Sequence, residues 1–178
     1  MVATSVGGYS GSSGENGCNR NGEFGKIVVA FGTSVVLRFE LRDSSTNALV
    51  TPAAFPLSVL DLDGGPRGER VSISADEYTF YELDDRTRLE VDTSTNTHHF
   101  LGERMARSNP RAADGLTISQ KRVSLKLTFF QRSSFTLTFA VTGGPSNSGQ
   151  TRAFFFAGQS SLGITCPSPP PPLLPPPS

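Results

Sequence analysis

From Val123 to Val141 the apolar residues fall on every second position. Val123, Leu125, Leu127 and Phe129 alternate with Ser124, Lys126 and Thr128, and Phe135, Leu137, Phe139 and Val141 alternate with Thr136, Thr138 and Ala140. A repeat of two sends successive side chains to opposite faces of a strand, so each stretch has one dry face and one wet face. Gln131-Arg132-Ser133-Ser134 between them has turn chemistry, and the two stretches read as a hairpin with one apolar face.

The same period recurs upstream. Leu37, Phe39 and Leu41 oppose Arg38, Glu40 and Arg42, and the cluster from Asp43 to Asn47 supplies a turn. Leu57 to Leu62 forms a run that stops at Asp63-Gly64-Gly65-Pro66; Val71, Ile73 and Ala75 then alternate with Ser72, Ser74 and Asp76. Tyr78 to Tyr81 is rich in aromatics, Leu89 and Val91 mark a short strand, and Phe154, Phe155 and Phe156 predict a strand covered on both sides. Residues 101–116 are the one segment suited to a helical turn, and Gly102 and Pro110 keep it short. About eight short strands without a sustained helical period predict an all-β antiparallel sandwich, jelly-roll-like, over residues 23–166. The 13 Phe and the absence of Trp fit a core of Phe, Leu and Val.

The flanks differ in kind. Residues 1–22 are dominated by Gly, Ser and Asn and read as a flexible leader, because such a composition buries too little apolar surface to offset ordering entropy. Residues 167–178 (PSPPPPLLPPPS) lack the donors that a sheet needs and read as a polyproline stalk spanning up to roughly 37 Å. The stalk is a spacer or a docking ligand.

Charge narrows the partners. Lys plus Arg (16) equals Asp plus Glu (16), so no overall field draws the chain to nucleic acid or anionic lipid. No apolar run reaches the length of a membrane span. Cys18 and Cys166 lie just outside the two ends of the patterned region, and a bridge between them would close a loop of about 150 residues, worth roughly 5 kcal/mol. That bridge implies an oxidising compartment, and the alternative is two separate thiols. Met1 to Ser10 has neither a basic nor an apolar signal-peptide region. The extracellular or cell-surface expectation therefore takes the chain as a piece of a longer secreted protein; a cytosolic chain is the other reading.

Few residues carry chemistry. Asp61, Asp63 and Glu69 surround the glycine turn after Leu62, and in an extended strand Asp61 and Asp63 share a side, so the three are candidate calcium ligands. The competing reading is a turn in which the aspartates bond backbone amides and Arg67 pairs with one of them. Arg104, Arg107 and Arg111 are candidates to grip an acidic glycan or a partner's carboxylate. His98 and His99, adjacent in sequence, would point to opposite faces of a strand and read as surface loop residues, not as a shared metal site. Gly158-Gln159-Ser160-Ser161-Leu162-Gly163 misses a nucleophile elbow because Leu162 stands where a glycine belongs. No catalytic residues are assigned, no enzyme is expected, and calcium is the one cofactor considered.

Leu57 to Asp63 (LSVLDLD), Leu116 to Gln120 (LTISQ), Phe135 to Val141 (FTLTFAV) and Arg152 to Phe156 (RAFFF) together resemble a β-sandwich domain of secreted or surface proteins of algae and other protists. Cys166 followed by polyproline is similar to the stalks of hydroxyproline-rich algal matrix glycoproteins such as the pherophorins. The likeness spans about residues 24–166 and departs from pherophorin domains in carrying two cysteines where they carry many. It implies an extracellular matrix or adhesive role with glycosylation of the tail. The expected function is a non-catalytic module that binds a glycan or an extracellular protein at loop ends of the sandwich; the alternative is a structural matrix unit that self-associates through sheet edges.

Overall fold

In the computed structural model, residues 1–11, 15–18, 24–65, 67–102, 109–110, 115–144 and 149–158 are described. Among them the chain lays down β1 (Val2–Ser5), β2 (Gly17–Cys18), β3 (Gly25–Ala30), β4 (Thr33–Glu40), β5 (Ala54–Leu60) and β6 (Arg70–Ala75). Then follow β7 (Phe80–Glu82), β8 (Glu90–Asp92), β9 (His98–Leu101), α1 (Ile118–Lys121), β10 (Leu125–Phe130), β11 (Ser134–Thr142) and β12 (Thr151–Gly158). One six-stranded sheet runs β1-β4-β11-β6-β9-β8 and the other β2-β3-β12-β5-β10-β7.

Pairing is antiparallel throughout and nested. β3 pairs with β12, β4 with β11, β5 with β10 and β6 with β9, so that each successive strand of the first half meets the next-innermost strand of the second. The chain is thus one long antiparallel ribbon, rolled until β11 also meets β6 and β12 also meets β5. Rolling alternates the strands between the two sheets, the arrangement of a jelly roll, and leaves only short edges.

The predicted all-β sandwich is the observed architecture, with twelve strands among the described residues in place of about eight. The extra ones sit at the edges. Within 1–22, read from sequence as a leader, Val2–Ser5 pairs with β4 and Gly17–Cys18 with β3, because strand partners supply the order that composition alone does not. The helical turn falls just beyond 101–116, at α1, where Thr117 and Gln120 form a reciprocal capping box.

Leu125–Phe129 and Phe135–Val141 are strands, but they are not a hairpin. β10 lies in one sheet and β11 in the other, joined by a crossing at 131–133 where Gln131 has φ 50. Their dry faces oppose each other through the core, and the rings of Phe129 and Phe135 stack with centroids 3.9 Å apart. Around that pair, Phe39 stacks on Phe135 at 5.1 Å and meets Phe156 edge-on at 5.4 Å, and Phe139 meets Phe154 edge-on at 5.1 Å. Leu37, Leu57, Val59, Val71, Ile73, Leu125, Leu127 and Leu137 fill the remaining space and are buried. β12, with its three consecutive phenylalanines, is central in its sheet: Phe154 and Phe156 face the main core, while Phe155 packs on a smaller cluster of Phe24, Leu60 and Ala157 on the outer face.

Candidate functional site

Three carboxylates lie at one end of the roll, in the loop 61–69 between β5 and β6. Asp61, Asp63 and Glu69 are only 4%, 1% and 3% exposed, and buried charge needs a partner or must be neutralised. β5 stops at Leu60, and Asp61 takes the left-handed conformation (φ 64). That turn breaks the alternation that would have set Asp61 and Asp63 on one side of a strand.

The partner comes from β12. Arg152 Nη2 donates to Asp63 Oδ1 at 2.6 Å and to the carbonyls of Asp63 and Gly64 at 3.2 and 3.1 Å. Its Nη1 lies 3.9 Å from Glu69 Oε1. The other Glu69 oxygen accepts from the backbone N–H of Arg67 at 3.1 Å, so Arg67 joins the cluster through its main chain. Gly65 lies so close that a Cβ there would stand 1.7 Å from Glu69 Oε1, and a Cβ at Gly102 would stand 2.5 Å from the Leu62 carbonyl oxygen. Asp61 Oδ1 is buried with no hydrogen-bond partner. Burial pushes its carboxyl up to about 7, with the Asp63 charge adding to the rise and Arg152 opposing it.

Asp61, Asp63 and Glu69, the candidate calcium ligands, are brought together at this end of the roll with Arg152 beside them. Among the described residues no group of three His, Cys, Asp or Glu side chains is placed to hold a metal ion, and the guanidinium of Arg152 occupies the cation's role beside Asp63. Arg104, Arg107 and Arg111 lie outside the described residues, as do Cys166 and the stalk 167–178. Cys18 is in β2, and no cysteine among the described residues is free.

His98 and His99 are in β9, not in a loop, and face opposite ways as alternation demands. His98 Nδ1 shares a hydrogen bond with the Tyr78 hydroxyl, and His99 Nδ1 lies 2.8 Å from Ser74 Oγ. Tyr78, Tyr81, His98 and Phe100 pack ring against ring and close the sandwich where β7 and β9 approach. At the opposite edge a largely apolar cavity of about 580 Å³ opens between β1 and β2, with Tyr9, Asn16, Ile27, Leu37 and Phe156 in its lining. Its polar groups are already engaged. Asn16 Oδ1 accepts from the Tyr9 hydroxyl at 2.8 Å and from the Val28 N–H at 2.9 Å, and the same hydroxyl contacts the Val28 carbonyl.

One feature of the surface is not accounted for by folding. On the outer face of the second sheet, Phe80 of β7 and Phe130 of β10 stand 41% and 46% exposed, edge to face at 5.6 Å. Register explains the position: Phe80 lies opposite Thr128, which shares a face with Lys126 and Phe130, while Phe129 turns into the core and Tyr81, itself 38% exposed, lies on the other side of β7 against Tyr78 and Phe100. Two adjacent aromatics in an alternating strand cannot both enter the core, so Phe129-Phe130 carried the signal of an outward ring. Around the pair are Pro56 of β5 and the Lys126–Glu82 ion pair at 2.5 Å.

No family model, curated protein or solved structure matches this chain.

Proposed function

We propose that the chain is a non-catalytic extracellular or cell-surface binding module whose ligand is a glycan, seated on Phe80 and Phe130. The observation that carries this reading is the exposure of two touching phenylalanines on a regular sheet face, where they gain little from the protein's own packing. The apolar face of a sugar ring covers such a pair, and the exposed Lys126 and Glu82 supply hydrogen bonds at its rim. The loop end, where the sequence directs attention, is filled by its own ion pairs and offers a ligand less.

The test is retention on a glycan array and on insoluble polysaccharides, comparing the native chain with the Phe80→Ser/Phe130→Ser variant. A ring contact contributes about 0.5–1.5 kcal/mol, so losing both weakens binding about fivefold or more. The melting temperature should hardly move, because the substituted rings are exposed. Equal retention by the two proteins would remove the reading.

The extracellular half of the proposal rests on the Cys18–Cys166 bridge. Intact mass with thiol titration of natively produced protein should give no titratable thiol and a mass two hydrogen atoms short of the reduced chain. A second reading, self-association through a sheet edge, is favoured by β1, whose four uncharged residues Val2, Ala3, Thr4 and Ser5 are all exposed and pair on one side only. Against it, β2, β7 and β8 are two or three residues long, and β7 and β8 carry acidic side chains, features that blunt an edge. Sedimentation that shifts with concentration in the absence of glycan would move the weight to this second reading.

A further inference from the structure

We infer that the glycan is a straight chain of β-linked pyranoses with equatorial hydroxyls, running from Phe80 and Phe130 along β10 into a second, polar subsite beside α1. This rests on the reading of those two rings as the glycan's seat. The second subsite is an open cavity of about 210 Å³ with Ser58, Glu82, Lys121, Ser124 and Lys126 in its lining.

Register sets the two places on one line. On the outer face of β10 every second residue points away from the core, in the order Phe130, Thr128, Lys126, and Ser124 follows just before the strand. β7 keeps the same step, with Phe80 opposite Thr128 and Glu82 opposite Lys126. On the other side of β10, Pro56 lies opposite Thr128 and Ser58 opposite Lys126. Four residues of strand separate Phe130 from Lys126 by about 13 Å, more than one sugar ring covers. Thr128, between them, is short and buried, so nothing from β10 rises to interrupt the path.

The two ends of this path differ in chemistry. At one end two rings offer an apolar surface, which suits a pyranose whose hydroxyls are all equatorial and whose faces are therefore lined by axial C–H groups. At the other end the side chains of Lys126 and Glu82 are 40% and 52% exposed and pair with each other at 2.5 Å. A surface pair of this kind adds little to stability, and the ammonium and the carboxylate each have further hydrogen-bonding capacity to offer hydroxyls. The wall beyond is fixed in place. Exposed Lys121 belongs to α1, where Thr117 and Gln120 form the capping box and Ser124 Oγ donates to the Gln120 carbonyl at 2.7 Å. Groups already held in place cost a ligand little ordering entropy.

Shape selects the linkage. A path along one strand is straight, and β-linked equatorial pyranoses form a straight ribbon with apolar ring faces and hydroxyl edges. An α-linked chain of the same sugar curls away from such a line.

Isothermal titration of the full chain with cello-oligosaccharides, from cellobiose to cellohexaose, tests this against the malto-oligosaccharides of equal length. Native affinity should rise about tenfold along the β-linked series and then level off, as hydrogen bonds to charged groups add at the second subsite; the α-linked series should show no such rise. Ser58→Ala/Lys121→Ala should bind cellobiose as the native chain does and lose the gain with length. Lys121→Ala alone, an exposed substitution, replaces it if the double variant does not fold. Native affinity that is flat with length, yet lost in Phe80→Ser/Phe130→Ser, would overturn the second subsite and leave the aromatic seat standing. An equal gain in the α-linked series would overturn the ribbon, as would a gain that persists in the Lys121 variants. Retention of other glycans without any β-linked oligomer would overturn the sugar class, and retention of no glycan at all would remove the aromatic seat together with this extension.

Discussion

Arg152 shows how much one side chain can hold. It reaches across from β12 to a carboxylate 89 positions away in sequence and to the carbonyls beside it. Replacing it with Met takes the guanidinium away from the buried Asp63 carboxylate, a change that costs about 3–5 kcal/mol. Urea unfolding should show that loss, and Asp63→Asn added to Arg152→Met should recover a substantial part, because the charge that Arg152 met is then gone. Gly65→Ala is a milder probe of the same cluster, expected to destabilise because Glu69 must leave its place to admit a methyl group. The acidic half of this cluster was legible in the sequence, since Asp61, Asp63 and Glu69 flank one turn. Its basic half was not: Arg152 opens a run of apolar residues, and Arg67, nearer along the chain, was the natural partner to name. Spacing reports neighbours along the chain and is silent on which strand will lie alongside.

The same division holds for the strands. Alternation identified the inward residues of β4, β6, β10 and β11 correctly, because burial follows side-chain direction and a period of two fixes direction. It did not identify partners. A four-residue polar connection fits a hairpin and a crossing between sheets equally well; here the crossing wins because the dry faces of β10 and β11 meet across the core, as the Phe129–Phe135 stack records. Turn chemistry was legible where a side chain builds the turn itself: Asp43 Oδ1 accepts from the N–H groups of Ser45 and Thr46 at 2.9 and 2.8 Å, and Asn47 follows at φ 58. The crossing also makes a prediction. Phe135→Ala removes a ring that contacts Phe39, Phe55 and Phe129 and should cost about 3–5 kcal/mol in chemical denaturation. Phe130→Ala, one residue from the other half of that stack but facing outward, should cost less than about 1 kcal/mol.

At the scale of the molecule, nested pairing means that the ribbon's outer strands are distant in sequence: Gly25 lies opposite Phe156 and Ala30 opposite Thr151. Such pairings close only after long loops have been ordered, so folding should be slow for a domain of this size, in milliseconds to seconds by stopped-flow fluorescence of the tyrosines. The jelly-roll class was reachable from strand count and turn spacing, whereas the nesting needed the pairings themselves.

Because Gly25 and Phe156 share one end of the β3–β12 ladder, a pull applied at those two points would load its hydrogen bonds one pair after another, like a zip, and not all together in shear. A jelly roll tethered this way yields at low tension, and a covalent clasp outside the ladder, between Cys18 and Cys166, would carry the force past it.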